Sequence, residues 1–378
     1  MRFLTAGESH GPCLTAIVEG LPAGLKIDVE AIDRELARRQ SGYGRGGRMA
    51  IEADRVEVLG GVLDGRTIGA PVALRIDNRD WANWKDRWVA GNLEPLSVPR
   101  PGHADYAGMA KYALDDARSV LERASARETA ARTAVGAIAR GLLARFGVRI
   151  TSYVEAIGEV EAAIPDDPAD ALHDRAERSV VRCPDGEAER RMTAAIDAAR
   201  ASGDSLGGRF AVIAVGVPIG LGSYVQWDRR LDARLAAAML SIPAIKGVEI
   251  GPAFANAGRP GTAVHDPFIA GPDGEPIRGS NRAGGIEGGV SNGEAIVVRA
   301  AMKPIPTTVS PQHSIDLRSG EAAVTQYQRS DVCAVPAATI VGEAMVAWTL
   351  AVALREKLGG DSVEEMAAHG KAWGLDAG

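Results

Sequence analysis

The chain has 378 residues, 46% of them hydrophobic, which is enough for a substantial core. Its net charge of −6 argues against nucleic acid or an anionic membrane as the main partner. The three cysteines, Cys13, Cys183 and Cys333, are far apart and form no Cys-x-x-Cys, so neither a disulfide framework nor a zinc site is indicated. No uninterrupted apolar run reaches about 18 residues and the N-terminus is polar, so a cytoplasmic protein without a membrane span is expected.

In chain order, residues 14–18, 56–59, 71–76, 148–157, 210–217 and 295–301 read as strands, and 29–39, 126–145, 187–201, 231–240 and 335–357 as helices. In the helix at 126–145, Ala130, Ala134, Ile138 and Leu142 recur every fourth residue, which predicts one buried face, and Gly147 supplies a stop. Ser125 and Glu128 have the spacing of a capping box at its start. Residues 161–185, rich in Asp, Pro and Arg, read as a surface excursion. No linker divides the chain, so one α+β domain over residues 1–378 is expected, with the last ~20 residues as a peripheral tail.

The chemistry is concentrated between these elements. Residues 38–48 (Arg-Arg-Gln-Ser-Gly-Tyr-Gly-Arg-Gly-Gly-Arg) set four guanidinium groups among four glycines. Rigid donor forks on a backbone that can approach closely suit a small, multiply charged anion. The run also fits Gly-x-Gly-x-x-Gly, but a helical segment precedes it where a dinucleotide site needs a strand. Gly7-Glu8-Ser9-His10-Gly11 fits a nucleophile elbow, yet leads into a strand and not a helix. Four histidines, His10, His103, His265 and His313, lie in Gly- or Pro-containing loops. His10 and His103 stand out as proton donors for a phosphate leaving group, His103 with Arg100 and Asp105 close by. Residues 123–129 offer hydroxyls and helix-start donors to an anion, residues 303–308 add a cation, stiff prolines and hydroxyls, and Arg329 and Asp331 add a charge pair.

Taken together, residues 5–12, 39–48, 100–105, 125–129, 203–208, 244–251, 283–289 and 329–331 closely resemble chorismate synthase, in order and over residues 1 to about 355. The resemblance implies a β-α-β sandwich with antiparallel sheets and an internal structural duplication, assembled as a homotetramer. It implies an anti-1,4-elimination of phosphate from 5-enolpyruvylshikimate 3-phosphate, giving chorismate and dependent on reduced FMN. By similarity His10, His103 and Asp331 are catalytic, and Arg39, Arg45, Arg48, Arg100, Arg127 and Arg329 meet the substrate's phosphate and two carboxylates. FMN contacts carry over to Arg123, Ala124, Ser125, Pro243, Ala244, Gly288, Lys303, Pro304, Ile305, Pro306, Thr307 and Arg329. NADPH as reductant would use Arg39 and Arg45, and an external flavin reductase is the alternative source of electrons. Two positions depart from the family pattern: Ala124 stands where serine is common, and Pro243 where Gln or Asn often precedes the alanine. Each would cost FMN about 1 kcal/mol if it replaced a direct hydrogen bond. Outside this resemblance, a flavin-independent phosphate-ester hydrolase is the rival enzyme, and Arg45-Gly46-Gly47 as an RGG-like RNA contact is the rival binding module.

Overall fold

The computed structural model describes residues 1–46 and 53–375, so Gly47 and Arg48 lie outside the described residues. Strands Arg2–Gly7 (β1), Cys13–Glu19 (β2), Val56–Gly60 (β3) and Val72–Asp77 (β4) form an antiparallel sheet in the order β1-β2-β4-β3. A second antiparallel sheet joins Arg149–Ile157 (β5), Val160–Glu161 (β6), Gly208–Val215 (β7), Ile245–Ile250 (β8) and Ile296–Met302 (β9) in the order β8-β9-β7-β5-β6. Leaving out the two-residue β6, both sheets run first, second, fourth, third. The pleat shows in the residues: Val72, Leu74 and Ile76 of β4 and Ile296, Val298 and Ala300 of β9 are buried and alternate with more exposed positions.

Nine helices of eight or more residues occur among the described residues: Val29–Gln40 (α1), Asp105–Tyr112 (α2), Ala117–Ala124 (α3), Thr129–Ala144 (α4), Ala169–Arg178 (α5), Gly186–Ser202 (α6), Leu231–Leu240 (α7), Val335–Leu358 (α8) and Val363–Ala372 (α9). Helix α4 packs on the first sheet, α8 on the second, and the two pack on each other, so helices fill the space between the sheets. At their crossing a Cβ on Gly136 would sit 2.3 Å from Ala344 Cβ, so only glycine permits this approach. Helix α8 is long and apolar enough to cross a membrane, but 94% of its apolar window is buried inside this fold, which makes it a core helix.

Every predicted strand and helix is present, with three corrections. Helix α4 buries more than one face: Ala131, Val135 and Gly136 are buried together with the predicted stripe, because α1, α8 and the first sheet surround it. Its start is a 3-10 turn over Ala126–Glu128, capped when Ser125 Oγ accepts from the Arg127 N–H. Glu128 does not close a capping box; its carboxylate accepts from Thr5 Oγ1 at 2.6 Å and from Arg132 Nε at 2.8 Å, one turn on. Finally, residues 161–185 contain α5, which buries Leu172 and Ala176 against Tyr153, Ala211 and Ile213 on the outer face of the second sheet. At the C-terminal end, α9 is held by a capping box of Ser362 and Glu365 and buries Val363 and Met366 in the core.

Candidate active site

A cavity of about 620 Å³, within the range of small-molecule sites, opens where α3, α4 and α8 meet the loops before and after the sheets. The loop 8–12, which joins β1 to β2 and is therefore no nucleophile elbow, supplies Ser9 and His10. A smaller cavity of about 400 Å³ holds none of the sequence candidates, and its Arg140 and Arg149 pair with Glu35 and Asp170.

His10, His103 and Asp331 all line the larger cavity, as do Arg39, Arg45, Arg100, Arg127 and Arg329. Of the expected cofactor positions, Ala124, Ser125, Pro243, Ala244, Lys303, Ile305, Pro306 and Thr307 also line it. Three do not. Arg123 turns back to β1, donating to the Thr5 carbonyl at 3.0 Å and the Thr5 hydroxyl at 2.8 Å. Gly288 is exposed, in the tight turn between the short strands Ile286–Glu287 and Val290–Ser291, and Pro304 contributes no wall.

The cations are held by carboxylates that come from far along the chain. Arg39 and Arg127 converge on buried Asp54, at 3.7 and 2.7 Å. Burial, with Arg127 and Arg45 nearby, lowers the Arg39 guanidinium to about 10 against the pull of Asp54. Arg39 also donates to Thr129 Oγ1 and the Ala126 carbonyl, while its buried Nη1 has no hydrogen-bond partner. A fixed, desolvated donor at the cavity wall is a group that an anionic ligand would satisfy. Arg45 meets Asp331 at 2.6 Å, and the other Asp331 oxygen accepts from the Gly46 N–H at 2.7 Å. A Cβ on Gly46 would strike the Ser330 carbonyl at 2.5 Å, which explains the glycine in this part of the arginine-rich run. Arg329 meets Asp80 at 2.6 Å, and Asp80 also accepts from Trp84 Nε1 and Asn83.

Both histidines carry a carboxylate on Nδ1. His103 lies 2.6 Å from Asp105 Oδ1, and Arg100 binds both Asp105 oxygens, at 2.8 and 3.0 Å. Burial pushes the Asp105 carboxyl up, but His103 and Arg100 outweigh it and hold the group well below the usual carboxylate range. His10 lies 2.9 Å from Glu122 and stacks on Trp84 at a centroid distance of 4.2 Å. Neither Glu122 nor Trp84 is marked by the sequence; Trp84 lines the cavity and Glu122 holds His10 because α3 and the 78–84 segment fold against the first loop.

The residues present fit a flavin phosphate and ring. Met302, Ile305, Pro306, Ala338 and Val341 give the cavity an apolar lining, and Lys303 adds a cation whose amine is lowered by burial and by Lys246. Ala244, in the same lining, adopts φ +68°, a strained value for a residue with a Cβ, and its carbonyl accepts from the Lys303 N–H at 2.9 Å.

A family profile described as chorismate synthase matches residues 1–354. The chain belongs to the chorismate synthase family. It is 57% identical over 371 residues to the chorismate synthase of Desulforudis audaxviator, covering 97% of this chain and 95% of that one. It is likewise 57% identical to that of Rubrobacter xylanophilus, over 97% of this chain and 94% of the other. A crystal structure of chorismate synthase superposes with a TM-score of 0.80 at 45% identity, covering 98% of this chain and 96% of that chain. The cluster of arginines, histidines and aspartate therefore sits on a chorismate synthase fold along its full length.

Proposed function

We propose that the 620 Å³ cavity performs the elimination of the family and that its lining residues divide the work as follows. The chain is a carbon–oxygen lyase of the shikimate pathway, converting 5-enolpyruvylshikimate 3-phosphate to chorismate and phosphate with reduced FMN. The observation that carries the assignment of residues is the convergence of five arginines with His10, His103 and Asp331 on one cavity.

Three anionic groups on one small substrate call for several rigid forks in one orientation. Arg39, Arg45, Arg100, Arg127 and Arg329 provide them, each already fixed by a protein carboxylate, so little side-chain entropy is lost on binding. Arg48 is assigned to the same group by its place in the motif and lies outside the described residues. His10 donates a proton to the departing phosphate as the carbon–oxygen bond breaks and its electron pair leaves with oxygen. Asp331 receives the proton lost from the substrate ring; the electron pair freed there forms one new double bond, and the existing ring double bond shifts to the carbon that phosphate leaves. His103, braced by Asp105, holds a second proton at the cavity wall. When bound, reduced FMN lends electron density to the ring as phosphate leaves, with no net oxidation.

Anaerobic turnover is expected to need reduced FMN, and turnover unchanged when flavin is omitted would remove this reading in favour of the hydrolase. NADPH supplied without a reductase separates self-reduction at Arg39 and Arg45 from dependence on an external flavin reductase. Asp331→Asn is expected to slow turnover about 10- to 100-fold while FMN still binds, since proton acceptance and cofactor binding are separate tasks. Loss of FMN binding in a titration would assign Asp331 a structural role.

We further propose an internal duplication and a homotetramer in the cytoplasm. The shared strand order of the two sheets supports the first, as does the placing of α1 and α7 after the second strand and of α4 and α8 after the fourth. The second is supported by Leu4 and Ile17, cross-strand partners on the outer face of the first sheet, exposed at 67% and 49%.

A further inference from the structure

We infer that Glu122 is the positioning residue that fixes the tautomer and direction of His10. This rests on His10 acting as the proton donor to phosphate. Glu122 is buried near the end of α3, and its two oxygens serve the same residue twice. Oε1 accepts from His10 Nδ1 at 2.9 Å; Oε2 accepts from the His10 backbone N–H at 2.8 Å and lies 3.1 Å from the same Nδ1. The Glu122 carbonyl also accepts from the Ser9 N–H at 2.9 Å, which ties the loop to the helix at a third point. Trp84 closes one face of the ring, and Arg118 stands 3.9 Å from the Glu122 carboxylate and 5.6 Å above Trp84.

A backbone N–H can only donate, so the two acceptors of the carboxylate leave Nδ1 a single role, that of donor. Nε2 is then the nitrogen left for the cavity. The consequence is chemical. When Nε2–H passes its proton to a phosphate oxygen, the ring that remains is the Nδ1–H tautomer, the form Glu122 accepts without rearrangement. Bound proton and departed proton are thus both compatible with one ring position.

Glutamine has the shape of glutamate but one acceptor oxygen and one NH₂. In Glu122→Gln the oxygen stays on the backbone N–H, which can only donate, and the NH₂ takes the place of Oε1, the nearer of the two to Nδ1, so the neutral ring is driven toward carrying its proton on Nε2. Proton donation would then leave Nδ1–H against an N–H donor.

The test is ¹⁵N NMR of histidine-labelled enzyme, with anaerobic kinetics on the same samples. In the wild type above the titration range, His10 is expected as the Nδ1–H tautomer, and in Glu122→Gln it should move toward Nε2–H. Turnover should fall roughly tenfold or more with KM within about threefold. A wild-type ring in the Nε2–H form, or a Glu122→Gln enzyme with unchanged ring shifts, would overturn the inference. The wild-type spectrum stands even if the variant fails to fold. If the wild type shows the Nδ1–H tautomer and yet no reduced-FMN-dependent turnover, the fault lies with the functional reading and not with Glu122.

Discussion

Glu343→Gln is expected to destabilise the fold by about 3–5 kcal/mol, seen as a lower urea midpoint at an unchanged m-value. Glu343 lies in the middle of α8 with no exposed surface, among three arginines from three other parts of the chain. Arg38 binds it through both terminal nitrogens at 2.8 and 3.0 Å, Arg140 meets it closely, Arg182 lies at 3.5 Å, and Ser152 Oγ donates at 2.6 Å. Removing the charge leaves Arg38, Arg140 and Arg182 with only Glu35 and Glu177 to balance them, an excess positive charge around a buried point, which costs far more than the cluster contributes over an apolar replacement. Burial alone would push the Glu343 carboxyl up; Arg38, Arg140 and Arg182 overcome it and hold it well below the carboxylate range. Burial likewise opposes charge on Arg38, and Glu343 and Glu35 more than offset it. A depressed folded-state value means the stabilisation is complete above the unfolded carboxylate value of about 4.3 and is lost as pH falls below it. Acid should therefore narrow the gap between wild type and variant, and a variant within about 1 kcal/mol of wild type at neutral pH would show that the cluster is not a structural lock. The position bears on function because Arg38, one residue before Arg39, anchors the end of α1 from which the arginine-rich loop departs.

What could be read in the sequence, and what could not, follows from how far apart the interacting groups lie. Strands β2, β3, β4, β5, β7 and β9 and the helices α1, α4, α6, α7 and α8 announce themselves by local period and by stops such as Gly147, at φ +75°, whereas β1, β6 and β8 carry no such signal and are recognised only by their pairing. The cavity-lining cations were legible too, since glycine and proline mark the loops that carry most of them. Their partners were not. Asp80 is 249 residues from Arg329 and Asp331 is 286 from Arg45, and nothing local in either segment predicts the pairing. Asp105, five residues from Arg100, is the exception, and its role was visible. Arg123 errs in the other direction. It neighbours Ala124 and Ser125 in sequence, but as the last charged residue of α3 it points to the carbonyls of β1 and not into the cavity. Helix α5 was missed because its apolar face is narrow, only Leu172 and Ala176 being buried among charged neighbours.

His103→Ala is expected to lower turnover by about 10²–10⁴-fold while the substrate KM moves little, the pattern of an interaction made mainly in the transition state. The ring is small and sits at the wall; its shortest contact is Asp105 Oδ1 at 2.6 Å, and Arg100 Nη2 lies 3.0 Å from the same Nδ1. Asp105 in turn is fixed by the Arg100 N–H at 3.0 Å and by the Arg100 fork, and Arg100 Nη1 reaches Thr307 Oγ1 at 3.1 Å, so the histidine is braced on two loops at once. Removing the imidazole leaves that Arg100–Asp105 pair intact, and with it the cation offered to substrate. Asp105→Asn does the opposite: it keeps the imidazole, weakens the hold on Arg100, and should raise KM together with a smaller loss of turnover. Single-turnover kinetics under anaerobic conditions with reduced FMN separate the two effects, since a proton-transfer defect slows the chemical step and a loosened arginine weakens the approach to saturation. An unchanged rate for His103→Ala near neutral pH would remove His103 from the mechanism, and equal shifts in KM for both variants would recast it as part of the Arg100 anion site.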